Sequence, residues 1–185
     1  KKVYVGGSFT QCGPDTATRY IAYYDEDDNE WKSLNTGLNG QVNAIEKFKG
    51  DIYAGGAFSM AGGVRASMTG FARWTGKAWE NVITKCQKDC DIDQFEYPFI
   101  VGDPVSRTSG NVNSLKTYGG DLYAVGRTAI SATTYLVQYT GSTLRQLGGF
   151  ASGSCTKQGC IATNDTGKAV IGINFNEATA GYNQN

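Results

Sequence analysis

The chain is organised around one stretch of sequence, which reads VNAIEKFKGDIYAGGAF at residues 42–58 and GFARWTGKAW at residues 70–79. It begins with a short apolar run bounded by glycine, which is typical of a β-strand that ends in a tight turn. The next run ends at Gly55 and Gly56, and glycine inside a strand marks a bulge or the close approach of another backbone. Residues 71–74 alternate with the period of a half-buried strand, and a Thr-Gly-Lys turn leads to a fourth run. The stretch therefore predicts one meander of four antiparallel strands.

The same pattern recurs on both sides of this stretch. Its copies are VYVGGSF at residues 3–9, VNSL at residues 112–115, DLYAVG at residues 121–126 and a weaker match at residues 160–175. Tyr4 and Tyr53 occupy the same place in successive copies and are 49 residues apart. A period of about 50 residues that is built from four strands indicates the blades of a β-propeller.

The repeated elements resemble those of a known family. The paired glycines, the aromatic residue of the third strand and the tryptophan of the fourth are similar to kelch repeats. More specifically, the V-N-A, Y-x-G-G-x-F and Trp elements resemble the kelch-like repeats of the fungal cortical cell-polarity marker family and related secreted proteins. This resemblance implies an all-β fold of kelch-like β-propeller blades, each with four antiparallel strands. Two departures are Val125, which replaces a glycine of the pair, and Leu144, which stands in place of tryptophan.

The repeats also divide the chain into blades. We expect a partial blade with the last three strands at residues 1–41, a blade at 42–111 with a long disulfide-bearing insert at 84–110, a blade at 112–158, and a partial blade with the first two strands at 159–185. Because propellers close with about 4–8 blades, we expect a fragment of a larger propeller. Propellers carry unrelated activities, so the fold alone does not indicate the function.

Composition excludes several classes of function. The 17 basic residues are balanced by 17 acidic ones, so the sequence has no basic stripe of the kind that nucleic-acid binding requires. No apolar run reaches the length of a membrane span. The sequence has no histidine, which excludes Ser-His-Asp and Cys-His catalysis and galactose-oxidase-type copper chemistry within it. We therefore expect a protein that is not an enzyme, with no nucleic-acid partner and no membrane span in this segment.

The cysteines predict local disulfides. They are Cys12, Cys86, Cys90, Cys155 and Cys160. The last four form two close pairs that follow the fourth strands of successive blades, so we expect each pair to be bridged, with free buried thiols as the alternative. Zinc ligation is disfavoured because the spacing differs from paired C-x2-C knuckles. Cys12 is left over and is expected to be unpaired or to bond to another chain.

A glycosylation motif points to the secretory pathway. Asn164 opens the triplet Asn164-Asp165-Thr166, which is an acceptor for N-glycosylation in secreted proteins. Together with the expected disulfides, this motif predicts an extracellular or cell-surface location.

Alternating strand direction places the long loops on one edge of the blades. The loops after the second strands and the connections after the fourth strands share this edge, at residues 10–18, 59–70, 83–110, 127–133 and 149–159. The opposite edge has only short turns. Long loops on a rigid scaffold are where recognition usually resides, so this loop edge is the expected binding surface.

Two acidic segments are candidates for binding a cation. Asp89, Asp91 and Asp93 provide alternating carboxylates as in a calcium loop, but Gln94 replaces the glycine that such a loop needs. The acidic turn at residues 25–30 suits a solvent-exposed hairpin tip. In both places a solvated acidic segment is favoured, so no cofactor is expected and calcium is the weaker alternative.

The features together favour an extracellular or cell-surface structural and interaction scaffold. It would bind protein partners, or assemble with itself, through the loop edge; a filament subunit is one version. The alternative is a carbohydrate-binding or carbohydrate-active secreted propeller, for which no spacing of carboxylates selects a catalytic pair. The tryptophans Trp31, Trp74 and Trp79 recur at fixed repeat positions, which favours a place in the core over a sugar-stacking platform.

Overall fold

The structure is a computed structural model of the chain. It describes residues 1–63, 70–82, 100–101, 108–109, 111–127, 134–150, 153–154, 161–163, 169–171 and 174–175. Every regular element in these ranges is a β-strand, which confirms the predicted all-β class. No helix in the described ranges is long and apolar enough to cross a membrane.

Three antiparallel sheets contain most of the described strands. The first sheet consists of β1 (Lys2–Gly6), β2 (Ile21–Asp25) and β3 (Glu30–Ser33). The second sheet consists of β4 (Val42–Phe48), β5 (Asp51–Gly56), β6 (Phe71–Trp74) and β7 (Trp79–Asn81). Two short strands follow in the chain, β8 (Ile100–Val101) and β9 (Thr108–Ser109). The third sheet consists of β10 (Asn111–Tyr118), β11 (Asp121–Arg127), β12 (Thr134–Tyr139) and β13 (Leu144–Phe150). Within each sheet the strands follow chain order, which confirms the meander that the sequence predicts.

Shorter antiparallel ladders complete the described strands. They pair β8 with β9, β14 (Gly153–Ser154) with β17 (Asn174–Phe175), and β15 (Ile161–Thr163) with β16 (Ala169–Ile171). β15 contacts β10 and β11, so the β15–β16 ladder lies next to the third sheet.

Tight turns lie at the edge opposite the long loops. Lys49 and Gly50 join β4 to β5 with φ angles of 49° and 92°, and Gly119 and Gly120 join β10 to β11 with φ angles of 59° and 88°. Two central residues with positive φ form a type I′ turn, whose twist matches that of the flanking strands. Nζ of Lys49 donates to the carbonyl oxygen of Thr140 at 2.6 Å, which ties turns of the second and third sheets together.

The second sheet is buried on both faces. On one face, Ile52 and Trp79 pack with Ile21 of the first sheet in one apolar cluster. On the other face, Tyr53 packs with Val137 of the third sheet in a second cluster. Successive side chains of a strand point to opposite faces, so the neighbours Ile52 and Tyr53 enter different clusters. The three sheets therefore stack face to face, with the second sheet in the middle.

Paired glycines allow segments to approach closely, as the sequence predicts. A Cβ atom on Gly55 would lie 2.6 Å from Cγ1 of Val112 in the third sheet. In the same way, a Cβ atom on Gly6 would clash with a valine side chain of the second sheet. A Cβ atom on Gly56 would overlap the backbone oxygen of Gln41. The first glycine of each pair thus admits a valine of the next sheet, and in the second sheet the second glycine, Gly56, admits the chain's own backbone.

The repeated Val-Asn motif forms a β-bulge that links neighbouring sheets. The ladder between β4 and β5 shifts its register between Val42 and Ala44, which leaves Asn43 out of the pairing. Nδ2 of Asn43 donates to the carbonyl oxygen of Val112 at 3.0 Å and to Oδ1 of Asn111 at 2.7 Å, both in the third sheet. A bulge re-aims the side chain that it carries; here it directs an amide toward the neighbouring sheet.

Replacing Asn43 with leucine is expected to lower the free energy of unfolding by about 1–3 kcal/mol, because a partly buried acceptor loses its donor. The acceptor is the carbonyl oxygen of Val112. Urea unfolding followed by circular dichroism measures the change. Gln41→Leu, which alters an exposed amide side chain nearby, is the matched control. Equal stability of the two variants would show that the Asn43 amide contributes nothing to the packing of the sheets.

Candidate functional site at the loop edge

A cleft lies at the loop edge between the first and second sheets. Its walls come from the loop after β1, the connection after β3 and the loop after β5, and its volume is about 660 Å³. The lining side chains that bear on its chemistry are Gln11, Thr16, Arg19, Tyr20, Thr36 and Asn39. We call this feature the loop-edge cleft. It lies on the edge that alternating strand direction predicts to be the binding surface.

The loop after β1 is fixed by its own hydrogen bonds. Thr18 is fully buried, and its Oγ1 accepts from the backbone N–H of Cys12 at 2.6 Å. The same hydroxyl donates to the carbonyl oxygen of Asp15 at 2.7 Å. Oδ1 of Asp15 accepts from the backbone N–H of Ala17 at 2.8 Å. Local hydrogen bonds of this kind stabilise one backbone conformation of the loop. The Cα positions from which its exposed side chains extend are therefore defined.

Backbone hydrogen bonds join the three walls of the cleft. The N–H of Leu38 donates to the carbonyl oxygen of Arg19 at 3.2 Å, which joins the first two walls. The N–H of Gly62 donates to the carbonyl oxygen of Gly37 at 2.9 Å, which joins the second wall to the third. Oδ1 of Asn39 also accepts two backbone N–H groups of the third wall, at 2.9 and 2.8 Å. The cleft is therefore formed before any ligand binds.

Tyr20 has an unusual backbone conformation in the wall of the cleft. Its φ angle of 63° lies in the left-handed region that favours glycine, and Gly70 holds the equivalent position in the second sheet with a φ of 73°. Hydrogen bonds of 3.0 Å join its N–H to the carbonyl oxygen of Phe9 and its carbonyl oxygen to the N–H of Gly7. Residues strained in this way concentrate at binding sites, which makes Tyr20 a candidate contact residue.

Arg19 gives the cleft a positive charge. Among the described residues that line the cleft, Arg19 is the one that carries a charge. Its side chain is exposed. Within the described ranges no carboxylate forms an ion pair with it. The guanidinium is thus available to an anionic group of a ligand.

Cys12, next to Gln11 of the cleft, is half-buried and forms no disulfide with the residues that the structure describes. Burial raises the pKa of the Cys12 thiol above its ordinary value. A raised pKa leaves less thiolate at neutral pH and so lowers the reactivity of the sulfur. A bond from Cys12 to another chain stays a prediction.

Most of the other sites predicted from the sequence lie outside the described residues. These are the cysteines Cys86, Cys90, Cys155 and Cys160, the glycosylation acceptor Asn164, and the calcium candidates Asp89, Asp91 and Asp93. Their pairing, modification and metal binding therefore stay predictions. Within the part of the chain that the structure describes, no three His, Cys, Asp or Glu side chains are grouped to hold a metal ion.

Lysines of the first sheet pair with carboxylates of the acidic turn between β2 and β3. Nζ of Lys32 lies 3.5 Å from Asp25 and also pairs with Asp28. Nζ of Lys1 lies 3.1 Å from the carboxylate of Glu26. The pair of Lys1 with Glu26 is exposed and contributes little to stability, whereas Asp25 is buried. These pairs reduce the mutual repulsion of the carboxylates.

The tryptophans of the second sheet lie in the core. Trp74 and Trp79 are each 8% exposed, and their rings pack at 5.4 Å between centroids. Nε1 of Trp79 donates to the carbonyl oxygen of Leu34 at 2.9 Å. Neither ring therefore offers an open platform for a sugar.

The sequence predicts that the loop edge is the binding surface, but it does not predict which residues line the cleft. It drew attention to acidic residues and tryptophans, whereas the cleft presents Arg19, Tyr20, hydroxyls and amides. One signal was present: Tyr20 stands where the second copy has Gly70. A bulky residue at a repeat position that otherwise carries glycine indicates a backbone held against its preference.

The fold and the cleft define an all-β protein of stacked antiparallel sheets with a preformed, polar cleft of the size that small ligands occupy. No known protein family matches the chain in a scan of family profiles, and no curated protein matches it in a search. Among solved structures, the extracellular domain of a hybrid two-component system from B. thetaiotaomicron is similar, with a TM-score of 0.51 and 18% sequence identity. The alignment covers 86% of this chain and 19% of that chain, so this chain spans about a fifth of its neighbour. At this identity the likeness concerns the fold alone.

Proposed function

We propose that this chain is part of an extracellular or cell-surface interaction scaffold whose sheets are successive kelch-like propeller blades. The repeated packing of the sheets supports this arrangement: Gly6 admits a side chain of the second sheet, and Gly55 admits one of the third. The similar solved structure is itself an extracellular domain, which agrees with the location. The expected disulfides and the acceptor at Asn164 belong to the same proposal.

The outer face of the first sheet supports the view that the series of sheets continues. Val3, Tyr24 and Trp31 are cross-strand neighbours on this face, and Tyr24 and Trp31 pack at 5.3 Å between ring centroids. The equivalent residues of the second sheet are buried against the first sheet. Val3 is 43% exposed, whereas its equivalent Ile52 is 7% exposed. An apolar face of this kind suits another sheet of the same repeat, from the same polypeptide or from another molecule.

The loop-edge cleft is the binding surface of the proposed scaffold. The observation that carries this proposal is a cleft of about 660 Å³ whose three walls are joined by backbone hydrogen bonds. A surface that is already formed loses little conformational entropy when a partner binds. Its lining comes from loops on a sheet scaffold, the usual place for recognition.

A substitution that fills the cleft tests this proposal. Thr16→Trp places a large side chain in the lining, and Ser142→Trp places the same side chain on an exposed turn at the opposite edge. We expect the parent chain and Ser142→Trp to bind the same members of an array of glycans and secreted ectodomains, and Thr16→Trp to lose at least about tenfold in affinity. Binding that survives in Thr16→Trp, with unchanged circular dichroism, would contradict a role for the cleft.

Carbohydrate binding is the second candidate function, and the lining favours it. Thr16 and Thr36 present hydroxyls, Gln11 presents an amide oxygen, and Tyr20 adds an aromatic ring. Polar groups of these kinds pair with sugar hydroxyls, and aromatic rings pack against sugar rings. Glycoside hydrolysis uses a pair of carboxylates, and no carboxylate lines the described part of the cleft. We therefore propose binding rather than hydrolysis for this version of the function.

A further inference from the structure

We propose that the loop-edge cleft binds an acidic saccharide, with Arg19 pairing with its carboxylate. This inference rests on the proposed function and names the chemical class of the ligand. It starts from the position of Arg19, whose neighbours in the chain are the buried Thr18 and the strained Tyr20. The carbonyl oxygen of Arg19 accepts the N–H of Leu38, which fixes the backbone from which the side chain extends.

The charge of the cleft selects an anion. Arginine presents a planar fork of donors that matches the two oxygens of a carboxylate. The guanidinium of Arg19 has no ion pair within the described ranges, and the described lining contains no acidic side chain that would compete for it. In the first sheet, Asp25 pairs with Lys32 and Glu26 pairs with Lys1 instead. Among the described residues that line the cleft, Arg19 is therefore the cation that is left for a ligand.

The remaining groups of the cleft suit sugar hydroxyls. The hydroxyls of Thr10, Thr16 and Thr36 make no hydrogen bond to the described residues, so each can both donate and accept. Nε2 of Gln11 donates to the carbonyl oxygen of Gly13 at 2.8 Å, which leaves Oε1 of Gln11 as an acceptor. A ring that carries hydroxyls and one carboxylate would satisfy these groups and Arg19 together.

The backbone of the cleft disfavours an acidic peptide as the ligand. An extended peptide gains affinity by pairing with free backbone groups at a strand edge. Here the N–H groups of Leu38, Asn39 and Gly62 already donate across the walls, at 3.2, 3.3 and 2.9 Å. The N–H of Gly37 donates to the carbonyl oxygen of Leu34 at 3.2 Å. These four N–H groups are therefore not free to pair with an extended peptide, which favours a saccharide.

The decisive experiment compares oligomers of galacturonic acid with the same oligomers after methyl esterification. Esterification removes the charge and keeps the sugar, so calorimetric titration of both isolates the contribution of the carboxylate. We expect the acid to bind the parent chain at least about tenfold more tightly than the ester, since a hydrogen-bonded ion pair is lost in the ester. Equal affinity for the acid and the ester would overturn the proposal.

Variants then assign the charge to one residue. Arg19→Gln should remove the preference for the acid over the ester, and Arg19→Lys should restore part of the preference. Arg145→Gln, at an exposed arginine of β13, is the matched control and should keep the full preference. An acid preference that persists in Arg19→Gln would overturn the role of this residue. Circular dichroism confirms that each variant is folded.

Two outcomes separate this inference from the proposed function. If the parent chain binds an ectodomain or a neutral glycan and loses it in Thr16→Trp, but shows no preference for galacturonate oligomers, the inference fails and the function stands. If an oligomer of glutamic acid binds as tightly as the galacturonate oligomer, the ligand is an acidic peptide and the saccharide proposal is wrong. If Thr16→Trp binds every partner as the parent does, both proposals fail.

Discussion

Replacing Gly56 with alanine is expected to lower the free energy of unfolding by about 3 kcal/mol or more, at the upper end of the range for overpacking. The added Cβ would overlap the backbone oxygen of Gln41. A flexible side chain could move away from such a contact, but this oxygen belongs to the connection that leads into β4, and the carbonyl group that carries it also accepts the N–H of Ala57 at 2.8 Å. Relief therefore requires the two segments to separate.

The first sheet provides a matched control for this substitution. Gly7 is the equivalent of Gly56, but a Cβ atom there would meet only the ring of Phe9, at an ordinary distance of 3.4 Å. We expect Gly7→Ala to change stability by less than about 1 kcal/mol, as for a substitution without a buried clash. Guanidinium unfolding of both variants, followed by tryptophan fluorescence, makes the comparison. Equal destabilisation would show that glycine is needed for flexibility rather than for space.

Replacing Trp79 with alanine is expected to lower the free energy of unfolding by about 3–5 kcal/mol, the usual range for a buried tryptophan. The side chain of Trp79 is 8% exposed and packs in the cluster between the first and second sheets. Its removal leaves a cavity and also leaves the carbonyl oxygen of Leu34 without the indole donor. Both effects act on the connection that forms one wall of the loop-edge cleft.

Trp31 is the matched control because it holds the equivalent position on the outer face of the first sheet. It is half-buried, so we expect Trp31→Ala to lower the free energy of unfolding by about 1 kcal/mol, close to the average for single substitutions. Circular dichroism follows both unfolding transitions without depending on tryptophan emission. A loss in Trp31→Ala as large as that in Trp79→Ala would show that the outer face is already covered in solution by another sheet.

The glycine pairs show which features local sequence predicts and which it does not. Their presence in a strand pattern predicts a close approach, and the structure confirms one at Gly55 and at Gly56. The partners differ, since Gly55 faces a side chain of Val112 and Gly56 faces the backbone at Gln41. No spacing in the sequence distinguishes these two cases, because the partners are set by how the sheets stack.

For the asparagine of the Val-Asn motif, too, the sequence predicts a role and only the structure gives its geometry. Its recurrence at residues 43 and 113 predicts either a hydrogen bond across neighbouring blades or a place along the central channel. The bond from Asn43 to the carbonyl oxygen of Val112 depends on a β-bulge, which appears as a register shift in the ladder between β4 and β5. A bulge of one residue leaves little trace in a hydrophobic pattern, so the geometry of the link follows only from the structure.

The sequence by itself determined the all-β class, the antiparallel meanders and the edge that carries the long loops. These features depend on hydrophobic period and turn chemistry, which act between residues that are close in the chain. The tertiary structure alone decided the loop-edge cleft, which combines Arg19, Thr36 and Met60 from three separate segments. Their meeting depends on backbone hydrogen bonds between loops and on the burial of Thr18. Long-range contacts of this kind form only when the sheets have stacked, so the chemistry of the cleft is a property of the folded chain.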